Sequence, residues 1–149
     1  MSVGKICVRE VAVAERSTTV REAAQMMRKF HVGDLVVVDG KGRGARPVGI
    51  ITDRDVVISV VATSLDPAVF TLGDLVTQDL VTCKEDQGVF ECLQQMRLHG
   101  VRRMPVVDRD GGLVGIVSVD DLVQLFAEEM SELGKLITRE QAREALSKR

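Results

Sequence analysis

The sequence predicts a mixed α/β (α+β) fold, made of two β-α-β-β-α repeats packed as a pseudo-twofold pair. Three observations predict it: an internal repeat, the same order of strand-type and helix-type patterns in each copy, and a length that suits two small units sharing a core. Along the 149-residue chain, Val20, Met27, Val32 and Asp39 recur sixty-nine residues later as Val89, Met96, Val101 and Asp108. Farther on the spacing is sixty-six: Gly49 with Gly115, Ile50 with Ile116, Thr52 with Ser118, Asp55 with Asp121. His31 and His99 do not align. The change in spacing falls at Gly40-Lys41-Gly42-Arg43-Gly44, a turn-type stretch that absorbs insertions at little cost.

Each copy opens on a short alternating strand, Val11 and Val13 in the first, Leu80 and Thr82 in the second. A helix follows. Val20, Ala23, Ala24, Met27 and Phe30 have helical spacing in the first copy; Val89, Leu93 and Met96, with Cys92, have it in the second. Thr18 and Asp86 are the candidate caps. Met26, Met27 and Met96 read as helix core. Next come the β-rich runs Leu35-Val36-Val37-Val38 and Met104-Pro105-Val106-Val107. A turn leads from each to a second apolar strand, Val48-Gly49-Ile50-Ile51 and Val114-Gly115-Ile116-Val117. Another helix begins near Asp55 and near Asp121. The repeats are placed at 5–62 and 74–127, with a linker at 63–73 that holds Pro67. A unit of about 55 residues buries too little apolar surface to stand alone, so the two share a core. The tail, 128–149, is read as helical. Thr138-Arg139-Glu140-Gln141 is a candidate capping box for a separate last helix through Ala142, Ala145 and Leu146. Its charges, Arg139, Glu140, Arg143, Glu144, Lys148 and Arg149, are mixed.

Composition excludes several function classes. The formal net charge is −2, so no basic field draws the chain to nucleic acid. With four Phe and no Tyr or Trp, a base-stacking platform is not expected. No apolar stretch approaches the roughly 18 residues of a membrane span, and Met1 to Val13 lacks the apolar region of a signal peptide. Cys7, Cys83 and Cys92 are odd in number and widely spaced. They read as free thiols in a reducing cytosol, which places the chain in the cytoplasm. No metal set is expected from them and two histidines. No catalytic constellation appears, neither paired carboxylates with a base nor Ser/His/Asp nor Cys/His, so the chain is read as not an enzyme and as requiring no cofactor.

The runs that carry the repeat also carry a resemblance. The second copy reads His99-Gly100-Val101-Arg102-Arg103-Met104-Pro105-Val106-Val107-Asp108, then Gly112-Leu113-Val114-Gly115-Ile116-Val117-Ser118-Val119-Asp120-Asp121-Leu122. The first reads Val32-Gly33-Asp34-Leu35-Val36-Val37-Val38-Asp39, then Pro47-Val48-Gly49-Ile50-Ile51-Thr52-Asp53-Arg54-Asp55-Val56. Together, over about residues 5 to 127, they resemble the cystathionine-β-synthase (CBS) domain family. The resemblance implies a tandem pair, often called a Bateman module, that binds an adenine nucleotide (AMP, ADP or ATP) or another adenosyl compound such as S-adenosylmethionine or NAD(H) between the repeats. It also implies a homodimer of such pairs and a target protein that reads the ligand state. Composition and spacing alone do not name the ligand, and a ligand-free dimeric interaction scaffold is the alternative.

The most informative residues are Thr52-x-x-Asp55 and Ser118-x-x-Asp121, each between a strand and a helix. One reading is a capping box, in which the hydroxyl accepts from a backbone N–H and the carboxylate reaches back. The other is nucleotide contact. A helix start suits a phosphate, and an ionised carboxylate can accept from both hydroxyls of a ribose. The resemblance assigns the Asp to ribose and the Thr or Ser to phosphate. It also brings a basic residue matching Arg103 to the phosphates, with Arg102 beside it; the plain alternative is a solvated pair. The first copy has Gly33 and Asp34 at those places, where Asp34 would repel a phosphate. The cleft near the second copy is therefore expected to be the stronger phosphate site. Arg54 partly compensates in the first, and Asp120 takes its place in the second. By resemblance Cys7 and Ala12, and Val76 and Val81, line the adenine slots, closed by Val32 and Val101; ordinary core packing is the alternative. Gly40 to Gly44 looks superficially like a phosphate loop, but lacks the GxxxxGK[ST] spacing and is read as a hairpin loop.

Overall fold

The computed structural model describes residues 1–76 and 79–148. Each repeat contributes three strands and two main helices in the expected order. The first holds β1 (Val13–Glu15), α1 (Val20–Phe30), β2 (Asp34–Asp39), β3 (Arg46–Thr52) and α2 (Asp53–Val56), which runs on as a π-helical turn, Val57–Val61. A short α3 (Leu72–Leu75) follows. The second holds β4 (Cys83–Lys84), α4 (Val89–His99), β5 (Arg103–Val107), β6 (Leu113–Ser118) and α5 (Val119–Ser147).

The two sheets share one topology. In each, the middle strand pairs parallel with the first and antiparallel with the third, β1-β2-β3 and β4-β5-β6. Even the irregularities match, with register shifts at Val37/Val38 and Val106/Val107. Leu35 to Val38 and Met104 to Val107 are buried, as continuous apolar runs covered on both faces should be. Gly40 to Gly44 forms the loop of the β2–β3 hairpin.

Several local expectations are corrected. The cap of α1 is Thr19, not Thr18. Thr19 Oγ1 accepts from the Glu22 N–H at 3.2 Å, and Glu22 accepts from the Thr19 N–H at 2.8 Å. Those bonds hold the Glu22 carboxyl below its ordinary range. Thr18 instead accepts from Glu15. The cap of α4 is Gly88, with no side-chain bond, rather than Asp86. Regular pairing begins at Val13 and at Cys83, so Val11, Leu80 and Thr82 lie outside the strands. On the helices, Ala24 and Phe30 face solvent, and Cys92, not Leu93, enters the core. The described residues of the tail form no separate helix. α5 runs unbroken through Thr138, whose hydroxyl bonds back to the Gly134 carbonyl one turn earlier. Arg149 lies outside the described residues.

Two hydrophobic clusters form the interior, and the chain crosses between them. The cluster of the second repeat contains Val3, fully buried, beside Cys83, Cys92, Met96, Met104, Val106, Val117 and Leu122, with Ile6 and Cys7 packed on it. The cluster of the first repeat contains Leu72, with Leu75 and Val76 against it. Val3 and Leu72 are repeat-equivalent. The opening segment of each repeat is therefore exchanged onto the other. Backbone bonds fix the exchange: Val3 N–H donates to Gln87 and Gly4 N–H to Glu85, while Leu72 N–H donates to Thr18 and Gly73 N–H to Arg16. Val8 and Ile116 bond reciprocally at 2.9 Å.

Candidate functional site

Two of the clefts between the repeats contain the helix starts at Thr52 and Ser118, and each draws its walls from both repeats. β3 delivers Thr52, and β6 delivers Ser118, to the start of a helix. Thr52 Oγ1 accepts from the Asp55 N–H at 3.1 Å, and Asp55 Oδ2 accepts from the Thr52 N–H at 2.8 Å. Ser118 and Asp121 repeat the arrangement at 3.2 and 2.7 Å, and the Ser118 hydroxyl also donates to Asp121 Oδ2. Both motifs are thus capping boxes. Each box uses Oδ2 only, so Oδ1 of either aspartate bonds no described residue.

The first cleft encloses about 730 Å³. Thr52, Arg54 and Asp55 of the first repeat line it together with Val76, Val81, Val101, Arg102 and Arg103. Gly33, Gly49, Asp53, Ser59, Asp79 and Leu80 also line it. The smaller second cleft, about 290 Å³, is lined by Ser118, Asp120 and Asp121 with Ala12, Val32, Asp34 and Arg103, and by Val8, Glu10 and Ile116.

This regroups the expected residues. Arg102 and Arg103 both line the cleft of Thr52 and Asp55, where Arg54 already is, and only Arg103 also lines that of Ser118 and Asp121. The cation-rich cleft is therefore the one at the first repeat's helix start. Ala12 and Val32 fall to the second cleft. Cys7 lines neither. Its sulfur sits where a Cβ on Gly115 would approach within 2.7 Å, as the Val76 methyls do over Gly49. Burial raises the Cys7 thiol above its ordinary pKa, with Arg9 opposing.

The clefts differ in charge. The first is lined by Arg54, Arg102 and Arg103 against Asp53, Asp55 and Asp79. The second is lined by Arg103 alone against Glu10, Asp34, Asp120 and Asp121. Arg103 Nη1 lies 2.7 Å from Asp34 Oδ2, and Arg102 lies 3.9 Å from Asp120 in an exposed pair. Sequence reasoning treated Asp34 only as a substitute for Arg103 and missed that the two meet. The signal was available: they are equivalent positions with opposite charges, and a pseudo-twofold axis brings equivalent strand starts together. Glu10 and Asp79 were also missed, since as isolated loop residues they carry no pattern, and Ile116 was read only as a strand residue of the repeat.

Among the described residues no group of three His, Cys, Asp or Glu side chains is placed to hold a metal ion. Among the described residues no helix is long and apolar enough to cross a membrane.

Known proteins share this architecture. An uncharacterised protein of Methanopyrus kandleri is 38% identical over 125 residues, 84% of this chain; the chain spans 62% of that relative's length. Hypoxic response protein 1 of Mycobacterium tuberculosis is 35% identical over 128 residues, covering 86% of this chain and 82% of the relative. A hypoxic response protein I structure with two coordinated zinc ions matches with a TM-score of 0.72 at 32% identity, over 83% of this chain and 98% of that one. A CBS domain pair in complex with 5′-methylthioadenosine and S-adenosyl-L-methionine matches with a TM-score of 0.74 at 28% identity, over 87% and 98%. A CBS domain protein of Pyrobaculum aerophilum complexed with AMP matches with a TM-score of 0.72 at 27% identity, over 82% and 90%. The CBS domain model itself matches residues 3–62 and 72–128, and with both halves so matched the chain belongs to the CBS domain family.

Proposed function

We propose that the chain is a regulatory module that binds adenosyl ligands in the clefts between its repeats and catalyses no reaction on them. One observation carries this reading. The first cleft joins a capped helix start, an aspartate oxygen without a partner among the described residues, three arginines and an apolar wall of Val76, Val81 and Val101. Those parts match the parts of a nucleotide. The apolar wall takes the adenine, Asp55 Oδ1 accepts from the ribose hydroxyls, and Thr52 and the arginine forks take the phosphates. Similar CBS pairs hold AMP, or S-adenosylmethionine with methylthioadenosine, which supports the ligand class. AMP, ADP and ATP fit the first cleft best by charge. The second, with one cation among four carboxylates, suits a ligand with little or no phosphate. Ligand binding shifts the relative orientation of repeats or protomers, because a ligand moves an equilibrium by its differential affinity for the two states. A homodimer of pairs and a target protein complete the reading.

Isothermal titration with AMP, ATP, S-adenosylmethionine and NADH tests it. Binding of at least one, weakened at least tenfold by Asp55→Ala, is the expected result. No heat and no thermal shift with any of them at millimolar concentration rejects the proposal. A second reading, a ligand-free interaction scaffold, has one observation in its favour. α5 exposes Val123, Met130, Leu133, Leu136 and Ile137, an apolar stripe of the kind that meets a partner. Partner binding that survives Asp55→Ala and Asp121→Ala, with no nucleotide response in the parent chain, selects it.

A further inference from the structure

The two clefts share a single cation. Arg103 lines both, and its guanidinium is ion-paired to Asp34 at 2.7 Å. The pair is only partly solvated, with the Asp34 side chain 19% exposed and that of Arg103 36%, so water screens it less than a surface pair. Its position is central. Asp34 is the cross-strand partner of Thr52, and Arg103 that of Ser118. Each member thus stands beside the cap hydroxyl of its own repeat, and the ion pair ties the two helix starts together.

We infer that this ion pair couples the two clefts, so that a phosphate bound in the first makes the second more receptive to a cationic ligand and less receptive to another phosphate. The inference rests on the reading of both clefts as adenosyl sites. A phosphate is a bidentate partner for guanidinium. In the first cleft it competes with Asp34 for Arg103. As Arg103 turns to the phosphate, Asp34 is left facing the second cleft with Glu10, Asp120 and Asp121. The other two arginines of the first cleft do not replace it: Arg54 and Arg102 line only the first of the two clefts, and Arg102 stays beside Asp120. A sulfonium or ammonium group there gains an unpaired carboxylate, whereas a second phosphate meets four. Because coupling free energy is reciprocal, a cationic ligand in the second cleft must tighten phosphate binding in the first by the same factor.

The test uses the full chain and two probes, AMP and S-adenosylmethionine, followed by isothermal titration. S-adenosylmethionine is titrated into the chain alone and into the chain carrying one equivalent of AMP. Its affinity is expected to rise about fivefold or more with AMP present, the lower end of typical coupling. In Asp34→Asn, an isosteric change that removes the charge, the enhancement is expected to vanish. One-equivalent AMP binding should persist there and become tighter, because Arg103 no longer has to leave a carboxylate. Equal affinity for S-adenosylmethionine with and without AMP overturns the coupling while leaving the adenosyl reading intact. So does an enhancement that persists in Asp34→Asn. Failure of both probes to bind overturns the two together.

Discussion

At position 31 a histidine holds the conformation that glycine holds at position 100. Both are helix C-caps in the left-handed region, with φ of 55° and 65°. The histidine bears a Cβ clash that glycine escapes, worth about 1–2 kcal/mol. Replacing it would free the unfolded chain by about 0.4–1 kcal/mol in the opposite direction. His31→Gly is therefore expected to stabilise by about 0.5 kcal/mol, and Gly100→Ala to destabilise by about 1 kcal/mol; urea unfolding of each variant measures both. Other residue-scale features were partly legible. The Thr19-x-x-Glu22 spacing was a capping signal, and the adjacent Thr18 drew attention from it. Asp55 and Asp121 were found because strand, hydroxyl and carboxylate recur in register. The contact of Arg103 with Asp34 was not, because matching positions by similarity hides a pair that is matched by opposition.

Among the elements, α1, α4 and the second and third strands of each repeat follow directly from periodicity and from runs of Val, Ile and Leu, whereas α3 begins inside the stretch read as a linker. The first strands were placed two or three residues early. Each pairs over three residues or fewer, too short for alternation to fix an end. α5 is where reading by element failed most. A capping pattern at Thr138 suggested a fresh start, yet a helix interior tolerates the same residues when the chain N-terminal to them is already helical. Beyond Phe126 every described residue of α5 is exposed. Removing residues 129–149 is therefore expected to change the thermal midpoint of the remaining module little, with a loss under about 1 kcal/mol, since surface changes rarely exceed that. Differential scanning calorimetry of the shortened chain decides it; a loss of several kcal/mol would show that the helix is needed to hold the repeats.

For the whole molecule, the exchange of opening segments matters most. Periodicity names which residues are apolar but not which core receives them, so Val3 and Leu72 were legible as apolar and illegible as crossed. The crossing makes each core depend on chain from the other repeat. Val3→Ala is expected to cost about 2 kcal/mol from lost burial and cavity, and Leu72→Ala about 2–5 kcal/mol. Though they strike different clusters, both should lower one shared unfolding transition rather than split it. Thermal melts followed by far-ultraviolet circular dichroism show this, and two separated transitions in either variant would contradict it. The same unity bears on α5, whose first residue follows the Ser118 cap directly. At ~1.5 Å per residue its 29 residues reach about 43 Å. Mechanically it is an indicator needle pivoted at the wall of the second cleft: a ten-degree tilt at Ser118 sweeps its tip through about 7.5 Å, an arc that a neighbouring surface would register even when the atoms at the pivot have scarcely moved.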